Sequence, residues 1–200
     1  MEPTVRPFAS DDAGAAAALL YDSAGGLYDR YAGNERLALR AIARAFERPG
    51  TTASADVVWV AELDGRVAGA MAAMPAAWWA PRSRGFLLVT LRAIPPWRWP
   101  AALWLYRAGA SGGPTLPSGS YYVDSLATTL DARRRGVARA LLAEAERQAA
   151  QQSLEAVALD TFADNQGARA LYASAGFRET RATPAAGAMP AGVSLLKKLR

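Results

Sequence analysis

The sequence predicts an α/β or α+β fold, a central sheet flanked by helices. Three observations predict it. Strand-like and helix-like segments alternate along residues 121–199, a hairpin signal stands at 57–75, and 200 residues with 52% apolar content are enough to bury a core. No repeat or low-complexity linker divides the chain, so one domain over 1–200 is expected, with an aromatic and proline-rich insertion at about 78–118.

The elements follow in order. Thr4–Phe8 reads as a short first strand, and Ser10 or Asp11 can cap the alanine-rich helix that follows to Ser23. Gly25-Gly26 ends that helix, and Tyr21, Tyr28 and Tyr31 then cluster with Asp22 and Asp29 in a connecting segment. A second helix spans Asn34 to Glu47 before Pro49-Gly50. Its Arg36, Arg40, Arg44 and Arg48 recur every four residues and make a solvated face. Val57–Leu63 and Arg66–Pro75 flank Asp64-Gly65, a tight-turn dipeptide, and read as a hairpin.

From Trp78 to Ser118 the pattern loosens. Prolines 81, 95, 96, 100, 114 and 117 punctuate it, and Trp78, Trp79, Trp97, Trp99 and Trp104 gather there. Ala101–Arg107 reads as a helical piece and Ala108–Gly119 as a loop. Tryptophans usually bury, so the segment reads first as a cover over the core and second as a source of substrate-binding aromatics. Regularity then returns. Tyr121–Thr128 is a strand, Arg134–Gln152 a helix with Val137, Leu141, Leu142 and Ala145 on one face, and Ala156–Phe162 a strand. Asn165–Ala175 is a helix capped by Gly176, and Phe177–Thr183 and Val193–Leu199 are the final strands.

Composition removes several chemistries. With no cysteine there is no disulfide, thiolate nucleophile or Cys-ligated metal, and with no histidine there is no imidazole base or Ser-His-Asp triad. Acid–base work falls to carboxylates, tyrosines, lysines or water. The net charge of +5, from 23 basic and 18 acidic residues, is almost all arginine. It permits an anionic ligand, is too dispersed to argue for nucleic acid, and together with abundant alanine suggests a bacterial coding bias. The N-terminus shows no secretory signal, and the apolar stretches are broken well before the roughly 18–20 residues of a membrane span. A soluble cytoplasmic protein is expected, with no membrane partner.

The chemistry-bearing stretch runs from Leu126 to Arg139. A strand ending at Leu126-Ala127-Thr128 enters a basic turn, Arg133-Arg134-Arg135-Gly136, that opens a helix at Val137-Ala138-Arg139. Such a turn exposes backbone N–H groups at the positive end of a helix dipole and suits a phosphate or pyrophosphate. Arg133-x-x-Gly136-x-Ala138 resembles the pyrophosphate loop, Arg/Gln-x-x-Gly-x-Gly/Ala, of the GNAT superfamily of N-acetyltransferases. About thirty residues later, Asn165-x-x-Ala168-x-x-Leu171-Tyr172 followed by Gly176-Phe177 resembles that superfamily's second signature. The resemblance covers Ser120–Thr183. It departs at Thr128, where a valine is usual, and at Leu130, where a proline is usual.

The resemblance implies a mixed, mostly antiparallel sheet of about six or seven strands, with acetyl-CoA lying between two strands that splay apart. Leu126, Ala127 and Thr128 would meet the thioester and pantetheine arm, the 133–139 turn the pyrophosphate, and Asn165 and Ala168 the pantetheine end. It further implies direct attack by a primary amine, without an acyl-enzyme or a metal, and Tyr172 as the acid that protonates the departing thiolate. Spacing alone allows Tyr172 to be a packed helix aromatic, and Asn165 a helix cap.

The base is open between Asp160 and Asp124. Period-two alternation puts Asp124 on the strand face of Tyr122 and Leu126. Either carboxylate can deprotonate the amine, hold the ammonium or simply bond within the sheet. The acceptor is expected to be a small-molecule amine, aminoglycoside-like compounds included, held by Tyr28, Tyr31, Trp78, Trp79 and Tyr122. The alternatives are a protein or peptide N-terminal acetyltransferase and a non-catalytic acyl-CoA sensor. A homodimer is expected by analogy alone.

Overall fold

A computed structural model describes residues 2–112, 116–187 and 189–199. Among them, seven strands form one sheet in the order β1-β2-β3-β4-β5-β7-β6. The strands are β1 (Thr4–Pro7), β2 (Val58–Leu63), β3 (Arg66–Pro75), β4 (Ser120–Thr128), β5 (Ala156–Phe162), β6 (Arg178–Thr183) and β7 (Gly192–Lys198). Every pairing is antiparallel except β4 with β5, as expected for a mixed, mostly antiparallel sheet.

The 57–75 hairpin forms as predicted. Asp64 and Gly65 both take positive φ, 54° and 74°, the two-residue turn whose twist suits an antiparallel hairpin. Helices α1 (Ala13–Ser23), α2 (Leu27–Ala32), α3 (Glu35–Phe46), α4 (Ala76–Leu91) and α5 (Trp99–Gly112) precede β4 or interrupt the strands before it. Helices α6 (Val137–Gln151) and α7 (Gln166–Ser174) follow it. One face of the sheet packs Met71, Ala73, Tyr121 and Val123 against Leu141 and Leu142 of α6 and Tyr172 of α7. The other packs Val58, Val60, Ala70 and Ala72 against Leu19 and Leu20 of α1 and Ile42 and Phe46 of α3. A third cluster, with Tyr31, Ala38, Leu87, Ile94 and Ala102, joins α2, α3, α4 and α5.

The arginine stripe of α3 is exposed, and Asn34 caps that helix by accepting the Leu37 N–H at 3.0 Å. At α1 the expected cap by Ser10 or Asp11 does not form. Asp12 stands at the N-cap position without bonding the first turn of α1; its carboxylate accepts the Ala9 N–H at 2.7 Å and two bonds from Arg6, which also reaches Glu62. A buried carboxylate satisfied by a guanidinium and an amide is stronger here than an exposed serine cap.

Between β3 and β4 the expected cover forms, but the loop from Ala108 and the burial of its tryptophans are corrected. The segment is two helices, and α5 continues through Gly112 where a loop from Ala108 was expected. The rest of that loop, including Pro114, falls partly on 113–115, outside the described residues. Leu87, Ile94 and Ala102 take the core side of the pair, so the tryptophans lie elsewhere. Trp78, Trp97, Trp99 and Trp104 stay exposed, Trp97 at 79%. Among the described residues, no helix is long and apolar enough to cross a membrane.

Candidate active site

The site begins as a defect in the sheet. β4 and β5 pair in parallel from Ser120/Ala156 to Val123/Leu159 and no further. β4 continues along β3 to Thr128, and β5 continues along β7 to Phe162. The inner edges of both strands therefore face a gap in which alternate backbone groups have no strand partner. On the β3 side, Ala72 pairs with Ser125 and Ala73 with Val123, leaving Asp124 as the extra residue of a bulge. The bulge resets the alternation. Tyr122 and Asp124 share a side with Trp79, whereas Leu126 packs with the α6 core. The expectation that Asp124 and Leu126 share a face is overturned for this reason.

A cavity of about 1470 Å³ fills the gap and extends past both ends of it. At one end stands the start of α6. Arg134 and Gly136 adopt positive φ, 61° and 85°, turning the chain so that successive amides face the cavity. Among the described residues, the N–H groups of Gly136, Val137, Ala138 and Arg139 meet no acceptor, while Ala140 closes the first helical bond to Gly136. Arg133 and Arg134 line this end. Arg139 also lines it and donates to Ser174 Oγ at 2.9 Å. Arg135 does not; its guanidinium pairs with Asp64 of the hairpin turn at 2.8 Å. Open amides at a helix N-terminus, flanked by two exposed guanidiniums, fit a pyrophosphate.

At the other end two carboxylates converge. Trp79 Nε1–H donates to Asp124 Oδ1 at 2.7 Å, and the Trp79 and Tyr122 rings meet edge to face with centroids 6.1 Å apart. Burial raises Asp124 from 3.8 to about 6; the Trp79 bond opposes this rise and the Asp160 charge adds to it. Ser194, the register partner of Asp160 across β5–β7, donates to Asp160 Oδ1 at 2.5 Å. Asp160 Oδ2 is buried without a hydrogen-bond partner among the described residues. Burial raises this carboxyl too, against the Ser194 bond, Tyr122 and the positive charge of Arg181. Tyr122 is pushed far above the ordinary phenol value, chiefly by burial and then by the charges of Asp124 and Asp160.

Tyr172 lies between these ends on α7, against Phe177 at 6.0 Å between centroids. Burial raises its phenol to about 12, so it keeps its proton at neutral pH. Asn165 caps α7 by accepting the Ala168 N–H at 3.1 Å, and both residues line the cavity. Leu126, Ala127, Thr128, Val137 and Ala138 line it as well.

The structure separates the expected acceptor aromatics. Trp79 and Tyr122 line the cavity; Tyr28 and Tyr31 line a smaller neighbour; Trp78 lines neither and lies under the Arg82 guanidinium, 5.2 Å from its ring centroid. Sequence reasoning missed Ser194, Asp22, Phe162, Trp104 and the β6–β7 connection with Pro184, Gly187, Met189 and Pro190, all of which contact the site or line its walls. Gly25, at φ 54°, abuts Phe162 so closely that a Cβ would fall 2.5 Å from its ring, and a Cβ at Gly187 would lie 3.2 Å from the Trp104 ring. The α1–α2 turn and the β6–β7 connection thus wall the carboxylate end. The Pro-Gly composition of 184–192 was the available signal.

Comparison with known proteins accords with this geometry. Residues 27–177 match the model of the acetyltransferase (GNAT) family. Among solved structures, an N-acetyltransferase from Staphylococcus aureus Mu50 superposes with a TM-score of 0.73 at 18% identity, covering 96% of this chain and 99% of that one. The histone acetyltransferase HPA2 and related acetyltransferase from Corynebacterium glutamicum ATCC 13032 gives 0.60 at 19% identity, covering 98% and 96%. The ribosomal-protein-S18-alanine N-acetyltransferase from Escherichia coli gives 0.55 at 14%, covering 98% and 93%. No curated protein matches the sequence. Identities this low carry the fold alone.

Proposed function

The chain belongs to the acetyltransferase (GNAT) family and is an acyltransferase; from that premise we propose that it moves the acetyl group of acetyl-CoA to the primary amine of a small molecule. One observation carries this reading. The same gap in the sheet meets open helix amides at one end and two half-buried carboxylates at the other. An anionic cosubstrate and a cationic acceptor would therefore enter from opposite sides and meet at the bulge.

When bound, acetyl-CoA supplies an activated thioester, so the protein needs no nucleophile of its own. The 136–139 amides with Arg133 and Arg134 hold the pyrophosphate, and the β4 edge at Leu126–Thr128 orients the pantetheine arm. A backbone N–H on that edge aimed at the thioester oxygen is worth about 3–4 kcal/mol of barrier. Asp124 takes a proton from the acceptor ammonium, directly or through one water, because its value near 6 leaves it ionised at pH 7 yet basic enough to bind a proton. Asp160, fixed by Ser194, holds the ammonium. Tyr172 keeps a proton at Oη for the leaving sulfur. We read the whole chain as one catalytic domain, with α4 and α5 as its insertion.

The test is CoA release measured against a panel of amines and of peptides with free N-termini. Release with small amines is expected. Tight acetyl-CoA binding without release for any acceptor would leave a sensor, and release with peptides alone would leave an N-terminal acetyltransferase.

A further inference from the structure

A second cavity, of about 260 Å³, opens beside the carboxylate end of the first. It lies between α2, α4 and α5 and is walled by Tyr28, Tyr31, Phe86, Leu105 and Tyr106. The Tyr28 and Tyr31 rings both flank Phe86, at 6.2 and 6.4 Å between centroids. Trp79 lines both spaces, so one indole has Asp124 on its polar edge and this aromatic chamber alongside. Among the described residues, the chamber is lined by no Asp, Glu, Lys or Arg side chain. The Tyr31 hydroxyl is already engaged with Thr90 Oγ1, and Ser83, Tyr28 and Tyr106 bring the chamber's other side-chain hydroxyls.

The chamber is open and adjoins the reaction groove, sharing Leu27, Trp79, Gly109 and Met189 with it as wall residues. An apolar cavity of about 150 Å³ holds a benzene ring. The larger space here takes a ring with substituents. Polar or charged groups placed in it would lose their hydration with few partners in return.

We propose that this chamber receives the apolar body of the acceptor, and that the substrate class is an arylalkylamine: an uncharged ring one short chain away from the primary amine. The inference rests on the N-acetyltransferase reading for the amine and on the chamber for the ring. The amine sits by Asp124 and Asp160, the chain passes Trp79, and the ring enters the space walled by Tyr28, Phe86 and Leu105. A polyhydroxylated, polycationic amine does not match this chamber.

Calorimetric binding in the presence of CoA tests it, using phenylmethylamine, 2-phenylethylamine and 3-phenylpropylamine against ethylamine and 1,4-diaminobutane, with acetyl transfer followed in parallel. The best arylalkylamine is expected to bind at least tenfold tighter than ethylamine. Ser83→Phe and, separately, Leu105→Phe fill the chamber and are expected to abolish that preference, while the affinity for acetyl-CoA shows that the fold is intact. Equal affinity for ring-bearing and ring-free amines overturns the inference, as does a preference that survives both fillings or a tighter fit to phenylalanyl peptides than to the free amines. If chamber-dependent aryl binding appears without acetyl transfer, the chamber stands and the proposed reaction falls. If ring-free amines are acetylated without aryl preference, the reaction stands and the chamber assignment falls.

Discussion

Replacing Asp124 by asparagine is expected to abolish most turnover and make the protein more stable, both from the same cause. In the folded state the carboxyl is raised from 3.8 to about 6, so the native fold prefers the protonated form. A raised carboxylate value destabilises above it: the penalty is absent well below pH 3.8, grows as the pH rises through the window from 3.8 to about 6, and is complete above that. The shift corresponds to about 3 kcal/mol at pH 7.5 and under about 1 kcal/mol at pH 4. Asparagine keeps an oxygen for the Trp79 N–H but carries no charge to bury. Allowing for the residual cost of burying an amide, a net gain of about 1–2 kcal/mol is expected at neutral pH. Urea unfolding of both proteins at pH 7.5 and pH 4 measures it. A variant no more stable than the parent at pH 7.5, or one with the same gain at both pH values, would refute the reasoning. Stability gained together with activity lost is the pattern of a group held in an unfavourable state for its chemistry.

Three further outcomes follow from the same geometry. Trp79→Phe removes the hydrogen bond that holds Asp124 down, so the acidic limb of kcat/KM is expected to rise by about 1 pH unit, read from initial rates between pH 5 and 9; an unmoved limb would separate the limb from Asp124. Tyr172→Phe is expected to lower kcat about 100-fold with little change in KM for acetyl-CoA, measured by steady-state CoA release; a rate near that of the parent would return Tyr172 to a packing role against Phe177. A Cβ added at Gly136 meets no neighbouring atom within 4 Å, so the cost of Gly136→Ala is the positive φ of 85°. That cost is about 1–2 kcal/mol, expected as a rise in the acetyl-CoA dissociation constant, and equilibrium titration with unchanged affinity would show that this backbone turn is not needed for binding.

Much of this was legible in the residues because local chemistry decides it. Asp64-Gly65 can scarcely do anything but turn a hairpin, Asn34 and Asn165 cap because their side chains reach the next amides, and Gly136 marks a backbone that only glycine adopts at ease. What escaped depends on contacts between distant segments. Nothing near Ser194 says that it faces Asp160; the β5–β7 register does. The bulge at Asp124 is a property of two strands together, so alternation counted along β4 alone put Leu126 on the wrong face. Arg135 looked equivalent to its two neighbours until Asp64, across the molecule, claimed it. The tryptophans misled for a related reason. Their size argues for burial, but small residues such as Ala102 had already filled the inner side of the helix pair.

The short junction between β4 and β5 has a mechanical consequence. Four residue pairs join two ribbons, β1–β4 on one side and β5–β7–β6 on the other. The strands have parted already in the fold itself, so a guest entering the gap has no ladder bond to break. It can instead act as a removable rung, adding a second tie to ribbons that otherwise share four ladder pairs and the core under α6 and α7. Force applied across the sheet would concentrate on that junction, and the molecule should be stiffest in the moments when it is loaded.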